Sequence, residues 1–165
     1  MPAEYQRAAD QFDAFLTDVR DACEFGSRHQ AFTTAQGVLL AFRRRLPVAD
    51  AIRFAGVLPA LLRALFVSDW DPAEPRRAFT TSEDALLEVR ALRALHNFSP
   101  DGAIESVAWA LRRQVDVVQL QAMLCTLPPG AAEFWATDDG SVGRRAMEWR
   151  ALGPPRGAGT EGRNP

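Results

Sequence analysis

The chain has 165 residues, 47% hydrophobic and 24% charged, which suits one globular core. A net charge of −2 and an isoelectric point near 5.7 exclude the broadly basic surface of a nucleic-acid binder or a polybasic membrane binder, so neither partner is expected. All 19 basic residues are arginine, which leaves no lysine for a Schiff base or a phosphate-binding loop.

The opening MPAEYQRAADQF lacks the apolar stretch of a signal peptide, and the apolar run from Val57 is broken by Arg63, so a cytoplasmic protein without a membrane span is expected. Phe12, Phe15, Leu16, Val19 and Cys23 recur at helical spacing and mark the first helix. Ser27 and Gln30 have capping-box spacing ahead of a second, carrying Phe32, Ala35, Leu39, Phe42 and Leu46. Pro47 fits the first turn of a third, with Val48, Ala51, Ile52, Ala55 and Leu58, and Pro59 breaks the chain before Leu61, Leu62, Leu65 and Phe66. SDWDPAEPRR then reads as a loop, within a connection over about 68–79.

Beyond the loop the same grammar returns. Thr80 and Glu83 form a second capping box before Leu86, Val89 and Leu92, and Ser99-Pro100 reads as an N-cap and first-turn proline before Ile104, Val107 and Leu111. Val118, Met123, Leu124 and Leu127 follow, closed by Pro128. A shift of 69 sets Arg43-Arg44 on Arg112-Arg113, Leu58-Pro59 on Leu127-Pro128 and Leu65-Phe66 on Phe134-Trp135, while the first helices align at a shift of 70. The expected fold is therefore all-α, with about eight helices in two tandem pseudo-repeated four-helix units packed as one domain. Unit one spans about 10–67 and unit two about 80–136; a short helix over 142–150 completes a domain of 1–150, and the Gly/Pro-rich 151–165 is an expected disordered tail.

In FRRRLP, residues 42–47, Arg43 and Arg44 stand one turn before a helix end, where a cation offsets the helix dipole, and Arg45 becomes Gln114 in the copy, as a solvated position would allow. With VLPALLRALF at 57–66, TLPPGAAEFW at 126–135, FLTDVRDAC at 15–23 and FSPDGAIESVAWALRRQVD at 98–116, the layout resembles the bacterial domain of unknown function 2267 family over roughly 10–136. That resemblance implies an all-helical fold and brings no catalytic residue or cofactor with it. Gly130 and Ala131 stand where the family usually has a tyrosine or similar residue after its second Leu-Pro.

The residues offer little chemistry. GAGTEG at 157–162 matches a dinucleotide fingerprint but lacks the strand before and helix after that make one work, and Asp69, Asp71 and Glu74 around Trp70 miss the glycine and glutamate of a calcium loop. His29 and His96, with Cys23 and Cys125, lack zinc-site spacing; the histidines are weak ligand candidates, and both cysteines read as buried small hydrophobes. No metal, catalytic constellation or cofactor is expected. Phe66, Trp70 and Trp135 near unit ends are the expected interaction surface of a non-enzymatic binding or regulatory module that meets a protein partner or a second copy. The alternative is a small-ligand or haem sensor with its pocket between the units.

Overall fold

The computed structural model describes residues 2–92, 99–138 and 140–153. These residues are all-helical, with no strand, and form nine helices: α1 (Ala3–Ala22), α2 (Arg28–Arg43), α3 (Val48–Ala55), α4 (Ala60–Val67), α5 (Ser82–Ala91), α6 (Ala103–Arg112), α7 (Val117–Thr126), α8 (Ala131–Phe134) and α9 (Ser141–Leu152). No described helix is long and apolar enough to cross a membrane.

Local chemistry sets most helix starts. Ser27 Oγ accepts from Gln30 N while Gln30 Oε1 accepts from Ser27 N, the anticipated capping box, worth about 1 kcal/mol. At α5 the cap falls one residue later than expected: Thr81, not Thr80, accepts from Asp84 N, because two adjacent threonines offer the same chemistry and the buried Ala85, Leu86 and Val89 fix the phase. Pro47 is likewise the residue before α3 rather than inside it. Ser99 does not cap α6, which starts at Ala103; its hydroxyl lies 2.8 Å from that of buried Thr34 and ties the segment to α2.

One apolar core runs through α1 to α8. At its centre Phe42, Phe54, Phe66, Phe134 and Trp135 pack ring against ring at centroid distances of 4.7 to 5.9 Å, bringing α2, α3, α4 and α8 together. Trp70 leaves the loop to pack on this core, beneath the Arg43 guanidinium at 5.1 Å.

The arginines near the helix ends reach further than dipole compensation requires. Arg43 Nη1 donates to the carbonyls of Phe66 and Ser68, both at 2.8 Å, and closes the end of α4; Arg112 Nη2 donates to the Trp135 carbonyl at 2.7 Å and closes α8. Each lock spans 23 residues. Burial lowers both guanidinium pKa values, and Arg44 beside Arg43 adds to the effect there. Both stay protonated, since arginine starts far above neutral pH.

α9, which extends over the anticipated 142–150 and two residues into the expected tail, lies against α1 and α6. Arg150 donates to buried Asp21 at 2.7 Å and to Asp18 at 3.0 Å, and Arg145 donates to the Ala22 carbonyl at 2.9 Å. Val142 and Ala146 bury their side chains beside Ala22. The rest of that tail, with GAGTEG, lies outside the described residues.

Cys23 is buried as expected; Cys125 is exposed, because the α7 face that carries it points away from the core. Burial raises the Cys23 thiol pKa to about 12, with Ser106 and Arg145 pulling the other way. Because the thiolate is the nucleophile, iodoacetamide at pH 8 is expected to modify Cys125 and spare Cys23 until the chain unfolds. Peptide mass mapping checks this; equal labelling of both thiols in the folded protein would refute it. The raised value favours the native state fully below the unfolded thiol's pKa, near 9, and that contribution is lost as pH climbs from there toward 12.

Candidate functional site

The aromatic residues expected to face a partner do not form one surface. Phe66 and Trp135 are both 0% exposed, which corrects the expectation: they are the hub of the core, and their positions at the ends of α4 and α8 reflect packing. Trp70 is half-buried. His29 is exposed on the first turn of α2, and His96 lies outside the described residues. Among the described residues no group of histidine, cysteine, aspartate and glutamate could hold a metal ion.

The structure instead opens a two-lobed cleft between the end of α2, the connection over 76–81, α5 and the segment over 128–134. One lobe, about 350 Å³, is lined by Arg45, Arg76 and Arg77 with Ala78, Phe79, Pro128 and Pro129. The other, about 380 Å³, shares Arg45, Phe79 and Pro129 and continues past Thr80, Ser82, Ala85, Ile104, Glu133 and Phe134. Both volumes lie in the range of small-molecule sites.

Arg45 is the residue sequence reasoning placed wrongly. It is 5% exposed rather than solvated, because α2 ends where the chain must turn inward at Leu46, itself 4% exposed. Its Nη1 donates to the Ala41 carbonyl at 2.7 Å and to Glu88 Oε2 at 2.8 Å. Glu88, on α5, also meets Arg44 at 3.2 Å and Arg77 at 3.3 Å, so one nearly buried carboxylate holds three arginines from two segments. Arg44 has a second carboxylate, Glu74, at 3.1 Å. The Arg77 amide donates to the Arg44 carbonyl at 2.9 Å, which fixes the connection along the wall. Arg76 is exposed, with no carboxylate in ion-pair reach among the described residues.

Gly130 shapes the far wall. Its φ of +99° is a conformation other residues rarely adopt, and a Cβ there would stand 2.5 Å from the Phe79 Cβ. The cleft thus needs glycine at residue 130.

This all-helical architecture, with two runs of helices around one aromatic core, matches the family model described as Uncharacterized conserved protein (DUF2267) over residues 12–134. The chain belongs to that family. α9 lies beyond the matched residues, although it packs on α1 within them. No curated protein matches the chain.

Proposed function

We propose that the protein is a non-enzymatic binding module in which two helical units, related by duplication, hold a small-molecule cleft at their junction. The observation that carries this is the position of the cleft: its walls come from the end of α2 in the first run of helices, from α5, α6 and α8 in the second, and from the connection between them. Its charged lining is dominated by arginines, which are permanently protonated and therefore grip and orient a ligand rather than take its protons. The duplication is supported by the two 23-residue arginine locks, which the shift of 69 superimposes.

A protein partner or second copy meeting Phe66, Trp70 and Trp135 together is less favoured, because two of the three rings are inside the core. A reducing, cytoplasmic setting suits the two free thiols.

A screen of small neutral and charged fragments against the full-length protein, followed through backbone amide chemical shifts, is expected to move Arg77, Phe79 and Gly130 together. Shifts that gather around Trp109 and Met147 at the α6–α9 groove, or no localised shift at all, would overturn the cleft as the binding site.

A further inference from the structure

We infer that the cleft takes a small organic anion, with a phosphate or carboxylate head in the arginine lobe and a flat apolar body in the lobe beyond Phe79. The inference rests on the binding-module reading above and adds the chemistry of the ligand.

Three guanidiniums line the arginine lobe and no carboxylate does. Glu88 stands behind them, and its two oxygens are shared among Arg44, Arg45 and Arg77. One carboxylate cannot saturate the five N–H donors that each guanidinium carries. Arg45 uses only Nη1 toward protein, so its Nε and Nη2 have no protein acceptor among the described residues, although its side chain is only 4% exposed. An arginine buried to this degree in a cavity wall is held in place before any ligand arrives, which limits the ordering entropy that binding costs. Arg76 contributes a cation with no carboxylate partner among the described residues, and Arg77 is half-exposed with capacity beyond its 3.3 Å contact. Together they form a bidentate-capable cradle for an oxyanion, one member buried and two open to solvent, joined by charge-assisted hydrogen bonds.

The second lobe has different chemistry. Phe79, Phe134, Ile104 and Ala85 present apolar surface, while Glu133 is the lobe's lining acid. A purely inorganic anion would leave that surface unused, and a cationic body would meet Arg45. The geometry therefore points to an anionic head joined to an uncharged ring, with room near Glu133 for a hydrogen-bond donor on the ring.

The test uses the full-length protein with phenyl phosphate as probe, beside inorganic phosphate and benzyl alcohol, each titrated by amide chemical shift at low and high salt. Phenyl phosphate is expected to shift Arg77, Phe79 and Gly130, to bind roughly tenfold or more tightly than either fragment alone, and to weaken as salt rises. Arg76→Gln, at an exposed position without an ion pair among the described residues, should fold normally and weaken phenyl phosphate several-fold while leaving benzyl alcohol unchanged. Inorganic phosphate binding as tightly as phenyl phosphate would refute the apolar half of the inference. Benzyl alcohol binding in the cleft as tightly as phenyl phosphate, or an Arg76→Gln variant that binds phenyl phosphate unchanged, would refute the anionic half and leave the cleft as a binding site. Phosphate-dependent shifts confined to the arginines around Asp18 and Asp21 would overturn the inference outright.

Discussion

Glu88→Gln is expected to lower the free energy of unfolding by about 3 kcal/mol or more, the range seen when one partner of a buried ion pair is removed. The cause is what the substitution leaves behind. Arg45, 4% exposed at its side chain, keeps the Ala41 carbonyl but loses its only carboxylate, and Arg44 and Arg77 lose a shared counter-charge. Arg77→Ala removes a half-exposed member of the same cluster and should cost less than about 1 kcal/mol. Replacing both Arg45 and Glu88 with apolar residues of similar size should recover much of the Glu88→Gln loss, because the nearly buried Arg45 charge is then gone, while Arg44 keeps Glu74 and Arg77 is half-exposed to water. Equilibrium urea unfolding of the four proteins checks the set. A Glu88→Gln variant within about 0.5 kcal/mol of the parent, the scatter of ordinary surface changes, would show that Arg45 does not depend on Glu88.

The second large effect lies in the core. Trp135→Ala is expected to cost about 3–5 kcal/mol, as a fully buried large aromatic does when truncated. Trp135 touches Phe42, Phe54 and Phe134 at 5.2, 5.9 and 5.4 Å, so its removal opens a cavity walled by other rings, which are too rigid to collapse into it. Trp135→Phe should cost clearly less than Trp135→Ala, because it keeps one ring and leaves a smaller cavity. A second reason is specific: the indole N–H is buried with no hydrogen-bond partner among the described residues, so phenylalanine removes an unsatisfied donor along with some packing. Denaturant unfolding of both variants reads the difference. Equal losses would mean that the N–H has an acceptor and that Trp135 is held by more than its rings.

The fold was largely legible in the sequence because helix periodicity and capping are local signals. The long α1 and α2 carry enough turns to fix which face is buried, and the residues expected there, such as Phe15, Val19, Leu39 and Phe42, are buried. α3 and α7, at 8 and 10 residues, do not. Val48, Ile52 and Val118, expected inside, are exposed, while Phe54 and Leu120 fill the core instead. Two or three turns fit more than one apolar phase, and tertiary packing decides between them. A pocket between the units was an alternative expectation, but none of the residues that line the cleft was legible as such. Its central residue was misread because a shift that sets Arg45 on Gln114 suggests tolerance to solvent, whereas the burial of Arg45 depends on Glu88, 43 residues away. What the sequence did carry was the arginine pair itself, whose recurrence at residues 112 and 113 pointed to a shared structural task before any carbonyl acceptor could be known.

The two arginine locks also bear on the order in which the molecule assembles. Each closes a loop of 23 residues, whereas the contacts that seat α9, from Arg150 to Asp21 and from Arg145 to Ala22, join positions 129 and 123 residues apart. Closing the longer loop costs about 1.5 kcal/mol more in chain entropy, by the logarithmic dependence on length. Closure of the two local locks is therefore expected to run ahead on the folding coordinate, with α9 docking late. In the reverse direction α9 is expected to leave early, and faster exchange of its amides than of those in α2 and α6 is the measurement that checks this.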